Sequence, residues 1–208
     1  MQLAFIETYI PEDVTVYLIG HSIGAYIILE LLENAPVDKR IAHCYLLFPT
    51  IEFMAETPNG KIVTKILNNI TFLLFFLMWL FNWLPICVQI FLIRIYAFIT
   101  KIPSKHQETI RKFLHPYIVK NFCHMGLNEM TVVRERNNKI LRNKCQKIKL
   151  YYGATDCWVP LSYFRNIKSD IPQINAEVCS KGFAHAFVLR DSRSMGNIVA
   201  DWIGTKAN

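Results

Sequence analysis

The feature that most constrains this fold is an apolar run followed directly by a serine between two glycines. Residues 14–19, Val-Thr-Val-Tyr-Leu-Ile, are apolar or β-branched, which is typical of a strand buried on both faces. Residues 20–24, Gly-His-Ser-Ile-Gly, come next, and apolar residues then recur at helical spacing. This order predicts a nucleophile elbow at Ser22, where Gly20 and Gly24 let the strand and the helix approach each other.

Three further apolar runs predict that the first strand belongs to a sheet. They cover residues 42–48, 147–152 and 174–179, and residues 194–203 have the spacing of a final helix. Strands that alternate with helices in this way predict an α/β fold, with a mainly parallel sheet and helices on both faces. The link from the second to the third strand, about residues 50–146, is too long for an ordinary crossover. It predicts an inserted cap or lid.

Two residues further along the chain fit the partners that a serine nucleophile needs. A serine hydroxyl requires a base, and after such an elbow the acid and the histidine follow in that order. Asp156 comes just after the third predicted strand, and His185 follows the fourth. We therefore predict a triad of Ser22, Asp156 and His185, with the backbone N–H of Ile23 as an oxyanion-hole donor. The alternatives are a capping aspartate and a histidine buried for packing alone.

The predicted cap contains a long apolar stretch. Residues 70–84 and 86–100 are largely apolar, and Pro85 separates them. Each half is about 15 residues long, whereas a helix that spans a bilayer needs about 20. We expect two helices over about residues 66–100, joined near Pro85 as a hairpin that enters a single lipid leaflet. Its lipid-contacting side chains would be Phe72, Phe75, Trp79 and Trp83 beside Pro85. A lid without a membrane role and a true bilayer span are the alternatives.

Charge and cysteine content narrow the choice of partners. The formal net charge is +7, which suits an anionic membrane surface or nucleic acid. No nucleic-acid-binding motif accompanies it, so we expect a membrane surface and no nucleic acid. Lys101, Lys105, Arg111 and Lys112 follow the apolar stretch closely and are expected to meet anionic headgroups. The six scattered cysteines and the absence of metal-ligand spacing predict a reducing compartment, no metal and no cofactor. The N-terminus does not have the pattern of a secretory signal.

Several segments together resemble the lipid droplet-associated hydrolase family. They are Leu-Ile-Gly-His-Ser-Ile-Gly (18–24), Leu-Leu-Phe-Pro-Thr-Ile-Glu (46–52), Thr-Pro-Asn-Gly (57–60), Tyr-Tyr-Gly-Ala-Thr-Asp (151–156) and Ala-His-Ala-Phe (184–187). The resemblance implies a serine esterase-like α/β-hydrolase on lipid droplets and the endoplasmic reticulum, facing the cytosol. It also implies a role in lipid storage, with sterol esters or other neutral lipids as substrates. The family's catalytic serine, aspartate and histidine correspond to Ser22, Asp156 and His185.

One departure from that family affects the expected activity. Its members have a longer part before the elbow, with early strands and a loop that supplies a second oxyanion donor, so we expect this chain to be N-terminally truncated. Losing one donor would cost about 2.7–4 kcal/mol in the transition state. Three functions stay open: hydrolysis of lipid esters, a non-catalytic role on the droplet surface with a vestigial triad, and acyl transfer. The sequence does not indicate any protein partner.

Overall fold

A four-stranded parallel sheet lies in the first of the two units into which the chain divides. This computed structural model describes residues 2–34 and 39–207. The first unit comprises Met1–Gly60 and Met130–His185, and the second comprises Lys61–Glu129 and Ala186–Asn208. The strands, in their order across the sheet, are β1 (Val16–His21), β2 (Ile41–Leu47), β3 (Ile148–Tyr152) and β4 (Asn175–Val178). The predicted α/β class with a parallel sheet is confirmed.

Helices fill most of the chain between and around the strands. In chain order, those of the described residues are α1 (Gln2–Tyr9), α2 (Ile23–Asn34), α3 (Pro58–Trp83), α4 (Ile86–Thr100), α5 (Gln107–Phe113), α6 (Pro116–Val132), α7 (Asn138–Asn143), α8 (Leu161–Asp170) and α9 (Ser192–Ala207). Helix α2 connects β1 to β2, and α8 connects β3 to β4. The helices α3 to α7 all lie in the long connection between β2 and β3.

The core of the first unit follows from the strand order. Each strand pairs with the next one along the chain, so right-handed crossovers place the connecting helices on the same face of the sheet. Accordingly, α2, α7 and α8 share one buried cluster with β2 and β3. Its members include Leu29, Leu46, Leu141, Leu150, Tyr152 and Ile167. This packing holds the carboxyl ends of the four strands at a common edge.

Strand β1 differs from its predicted environment. It pairs only with β2, and among the described residues no strand covers its other side. Ile19 is 52% exposed, so the prediction of a strand buried on both faces is wrong. An apolar groove of about 600 Å³ runs beside this edge, lined among others by Phe5, Ile27 and Leu31. The reason is that an apolar run predicts a strand, whereas the covering of each of its faces depends on how other elements pack on the sheet, which the run does not encode.

The helices of the second unit carry the apolar stretch. Helix α3 ends at Trp83 and α4 begins at Ile86, so the helical break lies at Leu84 and Pro85. None of the helices in the described part of the chain is both long and apolar enough to cross a membrane alone. Two segments of α3, Pro58–Leu67 and Thr71–Trp83, meet at 78° and reach that length and composition only together.

Candidate active site

The turn between β1 and α2 is a strained backbone held by hydrogen bonds. Ser22 has a φ of 56°, a left-handed conformation that side chains with a Cβ rarely adopt. Its N–H donates to the carbonyl of Leu47 at 3.0 Å, at the end of β2. Its own carbonyl accepts from the N–H groups of Ala25 and Thr50 at 3.0 and 3.2 Å. The elbow is therefore fastened both to its own helix and to the loop after β2.

The two glycines of the elbow have different roles. A Cβ added to Gly20 would lie 2.6 Å from the Gly24 carbonyl oxygen and 2.7 Å from Cδ1 of Ile28. Helix α2 therefore approaches β1 so closely that only glycine fits at position 20. A Cβ added to Gly24 would meet no atom of the described residues within 4 Å. Gly24 contributes its backbone to the close contact and has room for a side chain.

Ser22, His185 and Asp156 lie in one hydrogen-bonded row. His185 Nε2 lies 2.9 Å from Ser22 Oγ, and His185 Nδ1 lies 2.6 Å from Asp156 Oδ2. Asp156 follows β3 and His185 follows β4, so both reach the edge of the sheet where the elbow stands. The structure thus brings together the three residues that the sequence singled out.

Asp156 has the contacts of a capping aspartate and also those expected of the acid of a triad. Its Oδ1 accepts hydrogen bonds from the backbone N–H groups of Trp158 and Val159, at 2.7 and 3.2 Å, as a capping aspartate does. Its Oδ2 faces His185. The carboxyl group is buried, and both of its oxygens lie within hydrogen-bonding distance of N–H groups. The turn that Asp156 caps therefore also orients its second oxygen toward the histidine.

The positions of the hydrogens in the row follow from which of its atoms can donate and which can accept a hydrogen bond. A carboxylate only accepts hydrogen bonds, so the hydrogen on the His185 ring sits on Nδ1. In the neutral ring Nε2 is then an acceptor, and the Ser22 hydroxyl donates to it. This is the arrangement in which a histidine can remove the proton of a serine.

His21 supports the histidine loop, which sequence reasoning did not anticipate. Its Nε2–H donates to the backbone carbonyl of His185 at 2.8 Å, and the two rings lie 5.2 Å apart. Burial lowers the pKa of His21, which keeps the ring neutral. In the elbow motif, residue 21 is the variable position between the first glycine and the serine. Its side chain instead ties the elbow to the main chain of the candidate base.

Thr50 is a second residue that the sequence did not single out. It is 2% exposed, and its Oγ1 lies 3.1 Å from Ser22 Oγ. Phe48, two residues earlier, adopts a left-handed φ of 49° and turns the chain toward the elbow. Its ring meets the His185 ring edge to face, with centroids 6.0 Å apart. The only available signal was the segment of residues 46–52, which had contributed to the family resemblance.

The predicted oxyanion donor lies at the start of a helix. Ile23 is the first residue of α2, and N–H groups in the first turn have no acceptor within their own helix. Its N–H is therefore available beside Ser22, where the positive end of the helix dipole also lies. In the described part of the chain, no cluster of three His, Cys, Asp or Glu side chains is placed to hold a metal ion.

In the second unit, the candidate lipid-contacting residues lie on α3 and at the break that follows it. Phe72, Trp79 and Trp83 are 85%, 47% and 74% exposed, whereas Phe75 is half-buried and Pro85 is exposed. Two polar residues of the stretch donate hydrogen bonds to backbone carbonyls of the second unit. Asn82 donates to the Leu114 carbonyl at 3.0 Å, and Gln89 donates to the Leu84 carbonyl at 2.9 Å. Each side chain thus provides a hydrogen-bond donor for a backbone carbonyl that lies just after the end of a helix.

Comparison with known proteins identifies the family. A family model described as Lipid-droplet associated hydrolase matches residues 1–188. The chain belongs to the lipid droplet-associated hydrolase family. A lipid droplet-associated hydrolase of Drosophila melanogaster is 43% identical over 205 residues, which cover 97% of this chain and 66% of that protein. One from Rattus norvegicus is 36% identical over 206 residues, which cover 99% of this chain and 62% of that protein.

The solved structures agree with this family at the level of the fold. An N-formylmaleamic acid deformylase from Pseudomonas putida aligns with a TM-score of 0.59 and 13% identity, over 90% of this chain and 66% of that one. At this identity the likeness shows the α/β-hydrolase fold alone. The chain spans just under two thirds of the length of the relatives named above. In this member of the lipid droplet-associated hydrolase family, the row of Ser22, His185 and Asp156 lies entirely in the first unit.

Proposed function

We propose that this chain is a serine ester hydrolase that acts on lipid esters at the surface of lipid droplets. One observation carries the proposal: hydrogen bonds of 2.6 and 2.9 Å run without interruption from Asp156 through His185 to Ser22 Oγ. Membership of the lipid droplet-associated hydrolase family supports it. The substrate would be a sterol ester or another neutral lipid, and the physiological role would be in lipid storage.

The proposed reaction has two halves. His185 Nε2 takes the Ser22 proton as Oγ attacks the ester carbonyl carbon, while Asp156 faces the imidazolium that forms. The Ile23 N–H donates to the carbonyl oxygen as that oxygen becomes negative. The intermediate collapses, and the departing alcohol takes the proton from His185. Water then attacks the acyl-enzyme and gives a proton to His185, which returns it to Ser22 as the fatty acid leaves.

The apolar surface of the second unit supports a lipid location. Phe72 on α3 and Phe98 on α4 are 85% and 86% exposed, and burying such a side chain is worth about 1.5–3 kcal/mol. A droplet monolayer or the cytosolic leaflet of the endoplasmic reticulum would bury them without requiring a helix to span the bilayer. Lys101 and Lys105 follow α4, and in this proposal they would meet anionic headgroups. Arg111 instead pairs with Glu108 at 2.8 Å.

Fluorophosphonate labelling tests the catalytic proposal, because the probe reacts only with an activated serine. We expect the unmodified chain to label and the Ser22→Ala variant not to label. Ser162→Ala removes an exposed serine from α8 and is the matched control, which should label like the unmodified chain. Labelling that persists in Ser22→Ala would disprove the assignment. A triad does not distinguish water from an alcohol as the acceptor, so product analysis with a labelled acyl donor would separate hydrolysis from acyl transfer.

A droplet-surface protein with a vestigial triad is the second candidate, and the exposed apolar helices favour it. Binding to phospholipid-coated triolein droplets tests the surface itself. The double variant Phe72→Ser, Trp83→Ser should weaken binding by at least about 100-fold, from the loss of two buried aromatic side chains. Phe5→Ser, a change at a 57% exposed phenylalanine of α1, should bind like the unmodified chain. Droplet binding without any labelling of Ser22 would favour this second function.

A further inference from the structure

Thr50 is held against the candidate nucleophile by two separate contacts. Its backbone N–H donates to the Ser22 carbonyl at 3.2 Å, and its Oγ1 lies 3.1 Å from Ser22 Oγ. The residue is 2% exposed, so its hydroxyl is shielded from bulk water. The left-handed turn at Phe48 brings it there directly after β2. Main chain and side chain therefore both fix the Thr50 hydroxyl beside the same oxygen.

The direction of the hydrogen bond between the two hydroxyls follows from counting hydrogens. Asp156 accepts from His185 Nδ1, which leaves Nε2 of the neutral ring as an acceptor. Ser22 has a single hydroxyl hydrogen, and it points to Nε2. Ser22 Oγ can then only accept from Thr50, so the Thr50 hydroxyl is the donor. If Ser22 donated to Thr50 instead, its proton would point away from the base.

We propose that Thr50 is a further catalytic residue, whose hydroxyl donates a hydrogen bond to Ser22 Oγ. The proposal rests on the proposed hydrolase function. The donor has two effects: it keeps the serine proton directed at His185, and it stabilises negative charge on Oγ. That charge develops when Oγ loses its proton during attack. It develops again when Oγ departs from the acyl group, before His185 returns the proton.

The rate of fluorophosphonate labelling measures this contribution. Thr50→Val replaces the hydroxyl by a methyl group of similar size and should slow labelling by about 10- to 100-fold, as expected for a hydrogen bond to a charged oxygen. Thr50→Ser keeps the hydroxyl and should label within about 3-fold of the unmodified chain. Thr57→Val is the matched control, because Thr57 is 1% exposed and its hydroxyl donates to the Met54 carbonyl at 2.8 Å, away from Ser22. It should also label within about 3-fold.

The outcomes separate this proposal from the function on which it rests. If Thr50→Val labels as fast as the unmodified chain, Thr50 has no catalytic role and the triad stands. If Thr57→Val slows labelling as much as Thr50→Val, the effect is a general loss of a buried hydroxyl and the proposal is wrong. If the unmodified chain does not label, the hydrolase function fails and the role of Thr50 fails with it. Should Thr50→Val not fold, Thr50→Ser must still label at least about 10-fold faster than Thr50→Ala.

Discussion

Adding one methyl group at Gly20 should damage the elbow. In Gly20→Ala the new Cβ would lie 2.6 Å from the Gly24 carbonyl oxygen, whereas a carbon and a carbonyl oxygen in contact lie about 3.3 Å apart. Strand β1 and helix α2 must therefore separate by about 0.7 Å. Overpacking of this kind costs about 1–3 kcal/mol. For a chain of this length, that lowers the midpoint of thermal unfolding by about 2–12 °C.

The matched control is the same substitution four residues later. In Gly24→Ala the added Cβ meets no described atom within 4 Å. Gly24 is the second residue of α2, and alanine loses less backbone freedom on folding than glycine does, so Gly24→Ala should raise the free energy of unfolding by up to about 1 kcal/mol. The two substitutions should therefore change the free energy of unfolding in opposite directions, although the elbow motif requires glycine at both positions.

Urea unfolding followed by circular dichroism gives the two free energies of unfolding, and fluorophosphonate labelling reports on the position of Ser22. Gly20→Ala should lower the free energy of unfolding and slow labelling, because Ser22 begins the turn that is pushed apart. Equal effects of the two alanines on the free energy of unfolding would refute the reasoning. The close approach of strand and helix would then not be what requires glycine at position 20.

Three further predictions concern other parts of the first unit. Burial lowers the pKa of His21 from 6.5, so the unfolded chain binds the proton first and stability is lost as the pH falls below that value. His21→Gln, unfolded in urea at pH values on both sides of 6.5, should lose less stability on acidification, and an unchanged pH dependence would contradict this. Arg136 lies between Glu52 and Asp170, and burial raises the pKa of Glu52 even beside this cation. Arg136→Met should cost about 3–5 kcal/mol in urea unfolding, and adding Glu52→Gln should recover part of it; no recovery would show that the charge of Glu52 is not the cause. The open edge of β1 should pair with a second copy of the chain, so we expect concentration-dependent self-association in analytical ultracentrifugation that Ile19→Lys reduces; equal sedimentation of the two proteins would contradict this.

The positions of the candidate triad could be predicted because the fold is regular there. Parallel strands end at one edge of their sheet, so residues that directly follow predicted strands meet at that edge. Asp156 and His185 each come shortly after an apolar run that forms a strand, and Ser22 follows another. Predicted strand bounds differ from the observed ones by only one or two residues, as with residues 14–19 for Val16–His21. The catalytic roles of the three residues stay predictions until labelling is measured.

The supporting residues could not be predicted, because their places depend on backbone conformations that hydropathy does not encode. Phe48 is a bulky residue with no intrinsic preference for a positive φ, yet its turn brings Thr50 to Ser22. His21 was visible in the sequence, but its partner is a backbone carbonyl 164 positions away. Contacts of this kind depend on tertiary packing. Hydropathy patterns and short motifs predict helices, strands and turns, but they do not predict contacts between residues that are distant in the sequence.

The strain in the first unit is concentrated where the candidate site is built. Its non-glycine residues with positive φ are, among those described, Ser22, Phe48 and Phe53. Each should cost about 1–2 kcal/mol, so the surrounding structure must hold all three in place. Backbone hydrogen bonds do so: the N–H of Phe48 donates to Tyr151 at 2.7 Å, and that of Phe53 donates to Arg134 at 2.6 Å. The first bond joins the loop after β2 to β3, and the second joins it to the segment that returns from the long connection. The strained turns are therefore fixed by neighbours from two different parts of the first unit.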